Sequence, residues 1–214
     1  MLSLLDKRIA QLNEELTVMG SMCENAIALS AKAFLEGDIP LAKQVPELAV
    51  QIDQKERDIQ DMCLKLLLQQ QPVARDLRAV SAALKMVTDM ERIGHQSADI
   101  AEIVISADLA ATADALHIHD MAEAVIGMVT NSIHAFVKKD MVGARAVITY
   151  DDVVDEHFVR IKQGIIAYLS EPDTDGEYAV DLLMIAKYFE RIGDHAVNIA
   201  HWVLFSLLGF HNSD

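Results

Sequence analysis

Glu190-Arg191-Ile192-Gly193-Asp194 lies inside a long run of regularly spaced apolar residues, and its twin, Glu91-Arg92-Ile93-Gly94-His95, lies about a hundred residues upstream. Both stretches place a glycine inside a predicted helix, which costs roughly 1 kcal/mol relative to alanine. A shared reason is therefore expected, either close helix packing or space for a metal-bridging oxygen or a partner surface. Because residues four apart share one helix face, two stripes are predicted. Their members are Glu91, His95 and Asp99 in the first, and Glu190, Asp194 and Asn198 in the second.

The rest of the chain repeats around these stretches. Three features recur at an offset of 102 residues: Ala33-Phe34 with Ala135-Phe136, Asp38 with Asp140, and Asp53 with Asp155. Glu91 and Glu190 are 99 residues apart, so the second half is three residues shorter between these points. Agreement of both break positions and motifs indicates an internal duplication.

The apolar spacing predicts six helices and no strand. They span about 7–35, 38–70, 74–105, 120–138, 140–169 and 178–208. Gly37 is predicted to end the first helix, Asp140 to cap the fifth, and Pro46 to bend the second or delay its start. The fold class is therefore all-α, with six long helices in two similar antiparallel three-helix bundles. Residues 1–108 are expected to form the first repeat and 116–210 the second, together as one compact unit.

The charge of the chain limits its partners. It carries 33 acidic against 18 basic residues, a net charge of -15, which argues against nucleic acid and anionic membranes as partners. Cys23 and Cys63 lack metal or redox spacing, so they are predicted to be buried in a reducing compartment. With no secretory signal pattern and an apolar tail of only about ten residues, the chain is expected to be cytoplasmic and not inserted in a membrane.

The acidic stripes could bind a cation. Carboxylates at i and i+4 repel one another unless they share a positive charge, although such pairs also occur on ordinary solvated helix faces. Acids on the preceding helices bring further oxygens: Asp53, Glu56 and Asp61 on the second helix, and Asp151, Asp152, Asp155 and Glu156 on the fifth. Oxygen ligands with one imidazole suit iron, manganese, zinc, magnesium or calcium. No Glu-x-x-His di-iron motif, phosphate loop, dinucleotide motif or nucleophile elbow occurs, so no catalytic residue is assigned and an enzyme is the weaker hypothesis.

Two segments resemble a known family. The segment from Glu190 to Ile199 is similar to the signature of the PhoU family, accessory proteins of the phosphate-specific transport system, and Gln71 to Arg78 resembles that family's other signature. The resemblance implies two three-helix bundles and a negative regulator of phosphate uptake and of the phosphate-starvation response. It also implies contacts with a phosphate ABC transporter and a sensor histidine kinase, a homodimer, and acidic motifs that bind metal ions, including clusters of iron, zinc, manganese or nickel.

The family's metal ligands can be carried over by position. They fall on Glu91 and Asp99 in the first half, on Glu190 and Asp194 in the second, and on Asp53 and Asp155 of the preceding helices. The chain departs from the family where His95 replaces the usual Asp and where Asn198 stands opposite Asp99. A neutral His95 can still bind metal but favours borderline metals, so the second stripe is predicted to hold metal more tightly.

Two other functions remain compatible with the sequence. A metal-dependent hydrolase or oxidoreductase in a helical bundle would need ligands that converge in a buried pocket. A plain helical scaffold would leave the acids without metal.

Overall fold

The described part of the chain is almost entirely helical. A computed structural model describes residues 4–69, 73–107 and 118–209. These form α1 (Leu4–Glu36), α2 (Ile39–Ala42), α3 (Gln44–Gln69), α4 (Ala74–Ser106), α5 (Ile118–Lys138), α6 (Met141–Leu169) and α7 (Gly176–Leu208). No strand occurs in these three ranges, which confirms the all-α prediction. The sequence also predicts a break at Gln71-Pro72 and a connector from Ser106 to Ala115 between the two repeats; residues 70–72 and 108–117 lie outside the described ranges.

Local signals set the break between the first two predicted helices. Gly37 ends α1 with φ of 64°, the left-handed conformation expected of a residue just past a helix. The side chain of Asp38 then caps α2, accepting a hydrogen bond from the Leu41 amide at 2.9 Å. The predicted second helix is divided, because α2 ends at Ala42 and α3 begins at Gln44. Pro46 is the third residue of α3, where its missing N–H leaves no bond unmade.

The second repeat makes the same break with different residues. Lys139, the counterpart of Gly37, adopts φ of 56° between α5 and α6. Asp140 caps α6 as predicted, accepting hydrogen bonds from the amides of Val142 at 3.0 Å and Gly143 at 2.9 Å. The duplication therefore preserves the backbone conformation even where the glycine has been lost.

The helices form two similar three-helix bundles, as predicted. Helices α1, α3 and α4 pack together, as do α5, α6 and α7, and the halves join through α4 against α7 and α1 against α5. A Cβ added at Gly20 of α1 would lie 2.5 Å from Ile133 Cδ1 of α5, so these helices cross closely. Cys23 and Cys63 are buried, as expected. Within the described ranges, no helix is both long enough and apolar enough to cross a membrane.

A buried polar contact also connects the two bundles. His195 Nδ1 on α7 lies 3.0 Å from Asp89 Oδ1 on α4. Asn198 Nδ2 donates a second hydrogen bond to the same oxygen at 3.3 Å. The Asp89 side chain is only 8% exposed and that of His195 only 11%, so this contact replaces hydration at the centre of the interface. Asn198 of the second stripe therefore takes part in bundle packing.

Candidate metal centre

Asp53 of α3 meets Glu91 and His95 of α4 on the surface of the first bundle. Each side chain offers one ligand atom, and these atoms all lie within 4.8 Å of one another. His95 Nε2 lies 2.8 Å from Asp53 Oδ1. Asp53 and Glu91 are partly buried, whereas His95 is exposed. Three side chains from two helices can therefore reach one cation.

Gly94 explains how α3 comes close enough to contribute Asp53. Glu91 and His95 are four residues apart and share one face of α4. A Cβ at Gly94 would lie 3.0 Å from Ile52 Cδ1 and 3.2 Å from Ile52 Cγ2, so the glycine admits the neighbouring helix. Asp53 follows Ile52 directly and reaches the rim of the same contact. Of the two interpretations of this glycine, close helix packing is confirmed.

Glu56 extends the acidic group by one turn of α3. It is 9% exposed, and its Oε1 accepts hydrogen bonds from the side chains of Gln60 and, at 3.5 Å, of Thr88. Burial raises the pKa of Glu56, and the nearby carboxylate of Glu91 raises it further. The cluster formed by Asp53, Glu91 and His95 therefore adjoins a buried acid whose charge is already disfavoured.

Asp99, the third member of the first stripe, lies outside this three-residue cluster. Burial raises its pKa and Glu102 adds to the rise, while the charges of His95 and Arg191 oppose it. Arg191 belongs to α7, so Asp99 lies near the junction of the two bundles. The helical drift of the stripe thus separates Asp99 from Glu91.

The second stripe has a different arrangement. Glu190 forms an ion pair with Lys187 one turn earlier on α7. Burial raises the pKa of Asp194, with the nearby carboxylate of Glu190 as the next cause. Within the described residues, Asp53, Glu91 and His95 form the one group of three that brings its ligand atoms this close. The structure thus brings the ligand atoms of Asp53, Glu91 and His95 closer together than those of Glu190, Asp194 and Asp155.

Asp151 on α6 was not among the metal ligands that the family resemblance implied. Burial is the main cause that raises its pKa to about 6, and four acids add to the rise: Asp155, Asp194, Glu190 and Asp152. A Cβ at Gly193 would lie 3.4 Å from Asp151 Oδ1, so this carboxyl group faces the glycine. The signal was present in the sequence, because Asp151 precedes Asp155 by one turn and shares its face of α6.

Each half of the internal repeat matches the same known protein domain. The model of the PhoU domain matches residues 16–104 and again residues 118–203. The matched segments begin 102 residues apart and end 99 residues apart, the same offsets as the internal repeat. The chain belongs to the PhoU family. Both copies of the domain therefore coincide with the two bundles of this PhoU protein.

Relatives of this PhoU protein match it over nearly its full length. A protein of Pseudomonas putida is 30% identical over 203 residues, which cover 94% of this chain and 79% of the relative. One from Caulobacter vibrioides (strain NA1000 / CB15N) is 32% identical over 205 residues, covering 95% and 89%. Both are named phosphate-specific transport system accessory protein PhoU homolog. These matches confirm the family resemblance.

Solved structures agree with the fold. The crystal structure of PhoU from Pseudomonas aeruginosa superposes with a TM-score of 0.88 at 29% identity, covering 95% of this chain and 99% of that one. The phosphate transport system regulatory protein PhoU from Streptococcus pneumoniae gives 0.89 at 21% identity, covering 98% and 100%. The second likeness concerns the fold alone.

Proposed function

We propose that this PhoU-family protein is a cytoplasmic regulator that lowers phosphate uptake and represses the phosphate-starvation response. It acts as a homodimer through contacts with a phosphate ABC transporter and a sensor histidine kinase. The observation that carries the proposal is the match of both repeats to the PhoU domain, together with relatives named as accessory proteins of phosphate transport. Fold alone would not support it, because three-helix bundles serve many functions.

The metal part of the proposal rests on the cluster of Asp53, Glu91 and His95. Two carboxylates and one imidazole fit a borderline divalent metal such as zinc, iron or nickel better than magnesium or calcium, which prefer oxygen ligands alone. A bound cation would cancel the repulsion between Asp53 and Glu91 and join α3 to α4. The cation would also neutralise the charge of Glu91, and so reduce its repulsion of the neighbouring Glu56 carboxylate.

The position of the cluster favours regulation over catalysis. The side chain of His95 is 47% exposed and that of Asp53 is 26% exposed, so the cation would lie at the surface. A catalytic metal needs a substrate position shielded from bulk water, and a surface cluster does not provide one. We therefore propose that metal fixes the shape of a surface that a partner contacts, and that the protein is not an enzyme.

The metal proposal is tested by elemental analysis of protein purified in parallel. His95→Ala with Asp53→Ala should lose about one metal ion per chain, because each change removes a ligand. Glu14→Ala, an exposed acid on α1, is the charge control and should keep the wild-type content. Equal metal content in all three proteins would refute the metal site.

The second stripe is tested in the same experiment. Glu190→Ala with Asp194→Ala removes the pair that the sequence favours for tighter binding. In the structure Glu190 already has a cationic partner, Lys187, which a metal ion would have to displace. The double variant that loses more metal identifies the tighter site. A greater loss in Glu190→Ala with Asp194→Ala would support the prediction that the second stripe binds metal more tightly.

The regulatory proposal is tested in cells. Deleting the gene should raise phosphate uptake and switch on a phosphate-starvation reporter in phosphate-rich medium, and the wild-type copy should restore both. Crosslinking should recover a phosphate ABC transporter or a sensor kinase. Unchanged uptake and reporter activity after deletion would refute this function.

A further inference from the structure

A long groove lies between α5 and α6, on helices that contribute neither Asp53 nor Glu91 nor His95. Its volume is about 870 Å³. It extends along α5 from Asp120 to Lys138 and along α6 from Asp140 to His157. Small and apolar residues form much of its lining, among them Ala124, Gly127, Met128, Gly143, Ala146 and Val147.

The first repeat has an equivalent but smaller groove. It lies between α1 and α3, has a volume of about 320 Å³, and is lined in part by Met22 and Asn25. At the repeat offset of 102, Met22 corresponds to Ala124 and Asn25 to Gly127. A Cβ added at Gly127 would meet no atom within 4 Å, so a side chain at this position would project into open space. Small residues have thus opened one of two related grooves.

The larger groove also contains a buried polar atom without a partner. His157 Nδ1 is buried and makes no hydrogen bond within the described part of the chain. The corresponding residue of the first repeat, Lys55, forms an ion pair with Glu15 at 2.9 Å. A buried nitrogen left unpaired costs about 1–3 kcal/mol, so a hydrogen-bonding group from outside the chain would be stabilising here. The first repeat satisfies this position internally and the second repeat does not.

The dimensions of the groove decide what kind of molecule fits it. From Asp120 to Lys138 the groove is about 27 Å long at 1.5 Å per residue. A volume of about 870 Å³ spread over this length describes a long, shallow groove and not a compact cavity. A compact small molecule would leave much of the length empty. A helix with one face buried fills it.

The charges at the ends of the groove define the helix further. Asp120 and Glu123 lie at one end, where Glu123 Oε1 also lies 3.3 Å from His119 Nε2, and Lys138 lies at the other end. Asp140 is also near Lys138, but its carboxylate already accepts two amide hydrogen bonds. Basic residues are most stable in the last turn of a helix, where they meet the negative end of its dipole. A helix with a basic last turn would therefore run antiparallel to α5.

We propose that the α5–α6 groove binds an amphipathic helix of a partner protein, about 18 residues long, with basic residues in its last turn. A face of small apolar residues on the partner helix packs on Ala124 and Gly127, and a polar side chain of that helix forms a hydrogen bond with His157 Nδ1. The inference rests on the proposed function only in assuming that the protein acts through protein partners, and it does not depend on metal or phosphate.

The test uses a synthetic peptide of about 18 residues with Leu and Ala on one face, glutamates in the first turn and lysines in the last. Fluorescence anisotropy should show binding to the wild-type protein. Gly127→Leu fills the groove and should weaken binding at least about tenfold. Gly176→Leu is the matched control, because a Cβ there also meets no atom within 4 Å and Gly176 is not among the groove residues. It should bind like the wild type.

Two further comparisons make the result decisive. Ala124→Met with Gly127→Asn copies the first repeat and should also weaken binding without unfolding, as circular dichroism would verify. A peptide with the lysine and glutamate turns exchanged should bind several-fold more weakly at low salt. Equal affinity of the wild type and Gly127→Leu, or no binding to the wild type, would overturn the proposal. Either result leaves the cellular phosphate test unaffected, so the two failures are distinguishable.

Discussion

Replacing Asp89 with alanine should destabilise the protein by about 3 kcal/mol. Asp89 Oδ1 accepts hydrogen bonds from His195 Nδ1 at 3.0 Å and Asn198 Nδ2 at 3.3 Å across the α4–α7 interface. A hydrogen bond to a charged group contributes about 1.5–3 kcal/mol. The longer bond to the partly exposed Asn198 belongs at the low end of that range. Removing the buried carboxylate also removes its own desolvation cost, which keeps the net loss near 3 kcal/mol.

Urea unfolding measures this loss. With a slope of about 2–3 kcal/mol per molar urea, a change of about 3 kcal/mol lowers the midpoint by about 1–1.5 M. Asp61→Ala is the control, since Asp61 is an exposed acid on α3. Its midpoint should move by no more than about 0.2 M, which corresponds to the ±0.5 kcal/mol typical of surface changes.

A double-mutant cycle separates the polar contact from lost packing. His195→Ala and Asp89→Ala are combined, and their effects should fall short of additivity by about 1–2 kcal/mol, because each change alone breaks the same bond. Additive effects, or a loss below about 1 kcal/mol for Asp89→Ala, would refute the role of this contact in joining the bundles.

Two further predictions concern backbone conformation and pH. Lys139→Gly should raise the free energy of unfolding, measured in urea, by about 1 kcal/mol. Lys139 has a left-handed φ of 56°, and this conformation costs a residue with a Cβ about 1 kcal/mol relative to glycine. Asp151→Asn should stabilise metal-free protein at pH 7 and have little effect near pH 4. The pKa of Asp151 is about 6 in the folded chain and 3.8 in the unfolded one, so the folded state binds more protons and the wild type loses stability as pH rises through this window. Because Asp151 is partly exposed, the rise in the free energy of unfolding is limited to about 1 kcal/mol. An equal rise at pH 4 and pH 7 would show that the charge of Asp151 is not its cause.

The sequence predicts best those features that have a local cause. Gly37 ends α1 and Asp140 caps α6 because a left-handed backbone and free amide groups each require a particular residue type. The third predicted helix, α4 in the structure, begins at Ala74 as predicted and ends at Ser106, one residue beyond the expected end. Pro46 left two outcomes open, a bend or a delayed start, and only the packed structure shows that α3 begins anew at Gln44.

Features that depend on how helices pack were less accessible. The spacing of Glu91, His95 and Asp99 correctly places them along one helix, but it does not say which of them Asp53 will face. That choice depends on the contact of Ile52 with Gly94, which fixes α3 beside Glu91 and His95. The pairing of Asp89 with His195 joins residues 106 positions apart and has no local signature.

The duplication has left two bundles with the same backbone plan and different surfaces. Where the first bundle has His95, the second has Asp194, and only the first brings three metal-ligand atoms together within the described residues. Where the first bundle has Met22 and Asn25, the second has Ala124 and Gly127, and the groove widens from about 320 to about 870 Å³. Of these six residues only Ala124 is buried, and none takes part in the contact of Asp89 with His195 that joins α4 to α7. A duplicated fold can therefore assign the metal-binding surface to one copy and the partner groove to the other while the interface between them is kept.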